Sequence, residues 1–327
     1  MLNLQLPLPM EPRLDGDTGE RLFRGFIRVI NAVPHKKDPS AWLLDPDDQA
    51  MHTTRRLQVP IAGTTTPGYL FTPRSATGAT VCLVHGTTAE KPMHYYYFIR
   101  GLLRAGIQVM IFEMDGHGTN PRPLCCPGID DNVPAALSYL RAQPGVDPDR
   151  IGMLGVSLGG ACILNAAPRV EGIKAIATVS TPHTLKMDEL AKVAEALTTL
   201  NLEAIPAVLD ATPNAWFSFV TSPMRLAAGL DAVSDEVDLL DPKTHDTMGR
   251  VIRYLNPLDN AAELTKTPML VVNGTWDHLS PEWQARDLYE RARGPKSLAL
   301  IPRRNHYTIM TSHHAVNAAV NWFRRWL

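Results

Sequence analysis

Residues 151–167 read IGMLGVSLGGACILNAA. The first four are apolar, the length of a buried strand, and ACILNAA at the end is small and apolar, as a packed helix would be. Between them stands Gly155-Val156-Ser157-Leu158-Gly159-Gly160. A serine flanked by glycines at a strand-to-helix junction, G-x-S-x-G, describes a sharp, strained turn with no room for side chains beside it. Such a turn lifts the Ser157 hydroxyl clear of the sheet, and the N–H groups opening the next helix face any negative charge that develops there.

Short apolar runs recur on both sides of this junction: Thr80–Val84, Gln108–Phe112, 151–154, Ile173–Val179, 268–272 and 297–301. They are unbroken rather than alternating, as strands buried on both faces are. Segments of helical period lie between them, so the pattern predicts an α/β fold with a mostly parallel central sheet flanked by helices. Phe98, Ile99, Leu102 and Leu103 form one apolar stripe, ended by Gly106. Val133, Ala136, Leu137 and Leu140 form a second, and Ala315, Val316, Ala319, Val320 and Phe323 a third. Upstream, 56–61 and 69–72 flank the turn-rich AGTTTPG, which predicts a leading antiparallel hairpin.

One interval breaks the rhythm. From Thr181 to Lys266 no strand is evident, while helical stripes appear at Leu190, Val193 and Leu197 and at Met248, Val251, Ile252 and Leu255. A connection that long is an inserted subdomain rather than a loop. The expected organisation is an N-terminal helical extension over 1–55, a core over 56–183 and 267–327, and a helical cap over 184–266, between the sixth and seventh core strands. In the extension, Leu22, Phe23, Phe26, Ile27 and Ile30 share a face opposite Arg21, Arg24 and Arg28. Packing against the body is expected of it rather than a place on a membrane surface.

Composition narrows the roles. The 327 residues are 45% hydrophobic and 20% charged, with a formal net charge of −1. That balance offers no electropositive field for a nucleic acid, so a small-molecule partner is expected. Twenty-seven prolines point to many loops. Four cysteines without paired C-x-x-C spacing, and no run of about 20 apolar residues, lead to the expectation of a cytoplasmic protein with no transmembrane segment. The adjacent Cys125 and Cys126 are read as loop thiols.

A serine hydroxyl is nearly inert at neutral pH and needs a histidine base oriented by a carboxylate. The strand 268–272 leads into NGTWDHLSP, which places Asp277 beyond its carboxyl end. The last strand leads into PRRNHYT, which places His306 likewise. Ligands gather at that edge of open parallel sheets. His313 and His314, on a surface helix, compete with His306, and His278 beside Asp277 is expected to point elsewhere.

On these residues the chain resembles the α/β-hydrolase family, over roughly 56–327. The resemblance implies Ser157 as nucleophile, Asp277 as acid and His306 as base, in the family's order. It implies His85 and Gly86, in VCLVHGTT, as the supporting loop after the third strand. Thr87 and Leu158 N–H would then form the oxyanion hole, with Gly86 as the alternative to Thr87. The D-G-H-G stretch from Asp115 to Gly118 is a further landmark of capped members, with Asp115 and His117 as turn residues. Tyr95, Tyr96 and Tyr97 either line the entrance or pack a helix.

The expected activity is that of a serine hydrolase cleaving a carboxylic ester of a small, largely apolar acyl substrate, with no cofactor and no metal. Trp216, Phe217, Phe219 and Met224 in the cap would suit an acyl chain. Thioester or amide cleavage and acyl transfer use the same residues, and a ligand-binding homologue without turnover is the reading from another class.

Overall fold

The computed structural model describes residues 52–87, 92–124, 127–184, 250–277, 279–306 and 308–327. It opens on a hairpin. Strand β1 (His52–Ile61) pairs along its whole length with β2 (Thr64–Pro73) through a two-residue turn at Ala62-Gly63. Both turn residues have positive φ, 45° and 84°, the hairpin geometry whose twist matches the flanking strands and which glycine adopts at least cost. The expected turn was longer: Thr64 to Gly68 belong to β2, Pro67 included. β1 also starts inside the stretch assigned to the N-terminal extension, because His52 to Arg55 pair with Leu70 to Pro73.

Then follow β3 (Thr80–Val84), α1 (Tyr96–Arg104), β4 (Gln108–Phe112), α2 (Asn132–Arg141), β5 (Ile151–Val156), α3 (Leu158–Ala166) and β6 (Ile173–Val179). After the long interval come α4 (Pro257–Glu263), β7 (Met269–Gly274), α5 (Glu282–Arg291), β8 (Lys296–Ile301) and α6 (His313–Trp326). The eight strands form one sheet in the order β1-β2-β4-β3-β5-β6-β7-β8. Its first two pairings, β1 with β2 and β2 with β4, are antiparallel, and all the others are parallel.

Side chains alternate across the sheet, and each face has its own core. In β3, Cys82 and Val84 join a cluster with Val133, Leu137 and Leu140 of α2, Ile163 of α3 and Leu288 of α5. Val81 and Leu83 join the other, with Phe98, Ile99 and Leu102 of α1 and Ala315, Ala319 and Phe323 of α6. Burying each large apolar side chain of the α1 stripe contributes about 1.5–3 kcal/mol. α6 begins where the Ser312 hydroxyl accepts the Ala315 N–H, a side-chain cap on the N-terminal turn.

Residues 250–255 are helical, and Val251, Ile252 and Leu255 are buried in the same cluster as α3. Asn165 of α3 donates to the Leu255 carbonyl at 3.2 Å. This end of the expected cap is therefore part of the body. The remainder of the cap, with its aromatic residues 216–219, the N-terminal amphipathic stripe, Cys125, Cys126 and His278 lie outside the described residues. No helix among the described residues is long and apolar enough to cross a membrane.

Candidate active site

Every predicted site residue follows the carboxyl end of a parallel strand: His85, Gly86 and Thr87 after β3, Ser157 after β5, Asp277 after β7 and His306 after β8. Ser157 sits at φ 51° and ψ −119°, a strained backbone for a residue with a side chain. Its N–H donates to the Val179 carbonyl at 2.9 Å, and its carbonyl accepts from the Gly160 and Ala161 N–H at 3.0 and 3.3 Å. The glycines are explained by crowding. A Cβ on Gly159 would stand 2.1 Å from the Val84 carbonyl oxygen, and one on Gly155 would stand 2.5 Å from the Gly160 Cα. Only bare backbone lets α3 leave β5 at this angle.

The loops after β7 and β8 are tied to each other. The Thr275 N–H donates to the Ile301 carbonyl and the Trp276 N–H to the Arg304 carbonyl, both at 3.0 Å. Within the second loop, Asn305 Oδ1 accepts from the Thr308 N–H at 2.8 Å and hydroxyl at 3.0 Å, making a tight turn around His306. Within the first, Asp277 Oδ1 accepts the Leu279 and Ser280 N–H at 3.0 and 2.8 Å.

Three side chains converge as a result. His306 Nδ1 lies 3.0 Å from both Asp277 carboxylate oxygens, and Nε2 lies 3.0 Å from Ser157 Oγ. The Asp277 side chain is fully buried. A carboxylate only accepts, so Nδ1 carries the proton and Nε2 is left to accept from the serine hydroxyl. That arrangement can draw a proton from Ser157 as its oxygen attacks an electrophile.

The loop after β3 lies against the serine, since a Cβ on Gly86 would be 3.2 Å from the Ser157 Cβ. His85 is buried. Its Nε2 accepts the Met114 N–H at 2.8 Å, which leaves Nδ1 to donate to the Gly86 carbonyl at 2.8 Å. The Gly86 N–H donates to the Tyr95 hydroxyl at 2.8 Å, so the alternative in which Gly86 replaces Thr87 as an oxyanion donor finds that N–H already engaged. Leu158 is the first residue of α3, and its N–H has no partner within the helix.

The stretch from Glu113 to Arg122 is built as a turn. Asp115 accepts from Arg122 Nε at 3.0 Å and from Asn120 Nδ2 at 3.3 Å, and its own N–H donates to Asn132 Oδ1. Burial pushes its carboxyl above the ordinary value, offset in part by Asn132, Arg122 and Asn120. Burial lowers His117 to about 4, against the opposing pull of the Asp115 carbonyl and Glu113. Both sequence readings, as turn residues, agree with these contacts. His313 and His314 are exposed at the start of α6. Cys82 and Cys162 are free, and burial raises both thiols, Cys82 to about 12.

Two residues carried no motif. Tyr95 is 1% exposed and sends its hydroxyl to the Gly86 loop, while Tyr97 is 41% exposed, so the three tyrosines do different things. Gln284 of α5 accepts from the His183 and Thr184 N–H at 2.7 and 3.1 Å and donates to the Thr184 carbonyl at 3.0 Å. It pins the chain where it leaves the sheet for the long interval. A lone glutamine on an amphipathic helix gives no sequence signal of that.

The family model described as serine aminopeptidase, S33, matches residues 75–312, which hold Ser157, Asp277 and His306. Protein YfhR of Salmonella typhimurium, itself uncharacterised, is 24% identical over 237 residues, covering 72% of this chain and 67% of YfhR. The chain thus spans about two thirds of that relative. Thiohydrolase aneE of Aspergillus aculeatus is 25% identical over 258 residues, covering 72% of this chain and 80% of the relative. In structure, carboxyl esterase 2 of the fungus Tuber melanosporum superposes with a TM-score of 0.59 at 17% identity, covering 85% of this chain and 87% of the esterase.

Proposed function

The chain belongs to the serine aminopeptidase, S33, family of hydrolases, and on that premise we propose that it cleaves a carboxylic ester of a small, largely apolar acyl substrate through an acyl-enzyme on Ser157. The observation that carries the reading is the 3.0 Å approach of His306 Nε2 to Ser157 Oγ, with Nδ1 held by Asp277. As Oγ bonds to the acyl carbon, its proton passes to His306 Nε2 and the carbonyl oxygen becomes negative. Thr87 and Leu158 N–H stabilise that oxygen, and one such donor is worth about 2.7–4 kcal/mol of barrier. The tetrahedral adduct collapses, His306 returns the proton to the departing alkoxide, and the alcohol leaves. Water then gives its proton to His306 and attacks the acyl carbon, and the acid departs with Ser157 restored. Asp277 keeps the imidazole in the right tautomer and stabilises its charged form. No step calls on a metal or an organic cofactor. The free, buried thiols of Cys82 and Cys162 suit a reducing, cytoplasmic setting.

A second reading is thioester cleavage, favoured by the likeness to the relative named a thiohydrolase. The same three residues serve it, since a thiolate leaves more readily than an alkoxide. One panel decides between them: esters, thioesters and amides of matched acyl chains, with parent and Ser157→Ala. Ester turnover abolished in Ser157→Ala is expected. Equal rates for the two proteins would remove the enzyme reading, and a panel in which only thioesters turn over would replace the ester by the thioester.

A further inference from the structure

Gly86 stands between two peptide groups, and each is held by a different side chain. The Gly86 carbonyl and the Thr87 N–H belong to one planar trans unit and point opposite ways. The 2.8 Å bond from His85 Nδ1 to the Gly86 oxygen therefore orients the plane that carries the Thr87 N–H. On the other side, the Gly86 N–H reaches the Tyr95 hydroxyl at 2.8 Å. Glycine turns more freely about its two backbone bonds than any other residue. Tied at both flanking peptides, this one loses that freedom within van der Waals reach of Ser157.

The Tyr95 ring is well placed to be a fixed point. It ends the short helix Pro92–Tyr95 that leads into α1 and is buried in the cluster containing Phe98, Leu102 and Ile309. A rigid, packed phenol presents its oxygen with little entropy left to lose, unlike a flexible polar side chain at the same place.

We propose that Tyr95 is a positioning residue for acyl transfer: by accepting the Gly86 N–H, its hydroxyl aims the Thr87 N–H at the oxygen that turns negative when Ser157 attacks. It acts through the loop, not on the reacting atoms. The inference rests on the acyl-enzyme reading above, and its test separates the two.

The test compares parent, Ser157→Ala and Tyr95→Phe on one chromogenic ester, with thermal midpoints and the affinity of a trifluoromethyl ketone that forms a tetrahedral adduct on serine. Tyr95→Phe keeps the ring and removes the hydroxyl that accepts the Gly86 N–H. The expected result is a fall in kcat of roughly ten- to a hundredfold, less than deleting a donor outright because the Thr87 N–H is misaimed and not lost. KM should stay within about twofold, and ketone affinity should fall by the same factor as kcat/KM, since only the adduct carries the oxyanion. Inhibition by the product acid should not change. A purely structural tyrosine would lower the midpoint without that split. Parent-like kcat and ketone affinity in Tyr95→Phe, with Ser157→Ala dead, would overturn the role of Tyr95 and leave the acyl-enzyme reading standing. An active Ser157→Ala would instead sink that reading. Should Tyr95→Phe not fold, 4-aminophenylalanine at residue 95, of the same size but a poor acceptor, takes its place with the same two outcomes.

Discussion

Asp277 holds His306 with both carboxylate oxygens, each 3.0 Å from Nδ1, while its Oδ1 also accepts two backbone N–H groups from its own loop. The carboxylate is thus fixed before it fixes the imidazole, and a change at this position should act on chemistry more than on folding. In Asp277→Asn an amide oxygen can still accept from Leu279 and Ser280, but the amide N–H facing His306 favours the wrong tautomer. We expect kcat to fall by on the order of 10³–10⁴ with the thermal midpoint close to that of the parent. Steady-state kinetics that retain more than a tenth of the parent rate would show that Asp277 does not orient the base.

Gly159 makes a contrasting prediction, because its role is steric. A methyl group there meets the Val84 and His85 carbonyl oxygens at 2.1 and 2.5 Å, and neither is the tip of a flexible side chain. Gly159→Ala should force α3 away from β3 and cost several kcal/mol, in the range of severe overpacking. Loss of soluble, cooperatively unfolding protein is the expected outcome. A variant with the parent's denaturation midpoint would mean that the turn is far softer than its contacts imply.

How much of this was legible in the sequence differs by element. Strands β3 to β7 and the stripes of α1, α2 and α6 could be read because burial on both sheet faces leaves unbroken apolar runs and burial on one helix face leaves a 3.6-residue period, while β8, half-buried at the sheet's edge, is legible from its short run 298–301. Ser157, Asp277 and His306 could be named because strand ends are visible and the chemistry demands those residue types. The expected hairpin turn is too long because Pro67-Gly68 looks like a turn, whereas the chain reverses at Ala62-Gly63 alone and Thr64 to Gly68 already belong to β2. The segment 250–255 was assigned to a cap because a helical stripe does not say which surface it packs on. Tyr95 was ambiguous because nothing local tells which of three consecutive tyrosines turns inward.

Arg122 supplies the cation for a carboxylate that has no access to water. Its Nε lies 3.0 Å from Asp115 Oδ2, and the Asp115 side chain is 0% exposed. Arg122→Ala leaves that charge buried and short of a partner, a situation that typically costs about 3–5 kcal/mol for a buried pair. Because Arg122 keeps 19% of its side chain in solvent, the low end is expected. Urea denaturation at neutral pH reads it, and a loss below about 0.5 kcal/mol would show that Asn120 and Asn132 suffice.

His117 should make stability depend on pH in the mildly acidic range. Buried beside His85, with Nδ1 donating to the Asp115 carbonyl, it is lowered by burial from 6.5 to about 4 in the folded protein. The unfolded chain takes up a proton near 6.5 and the folded one does not, so below that pH the unfolded state binds more protons. The stabilisation is fully present above about 6.5 and is lost progressively as pH falls toward 4, reaching about 3 kcal/mol at about 1.4 kcal/mol per pH unit. Asp115 acts in the opposite sense. Its carboxyl is raised from 3.8, so its contribution is present below that value and is lost as pH rises through the folded one. Asp115 is present in both parent and His117→Asn, so a comparison of the two isolates the histidine. Urea midpoints between pH 7.5 and 5 should therefore fall more steeply for the parent than for His117→Asn, whose amide can replace the Nδ1 bond without taking up a proton. Parallel curves for the two proteins would show that His117 titrates alike in both states.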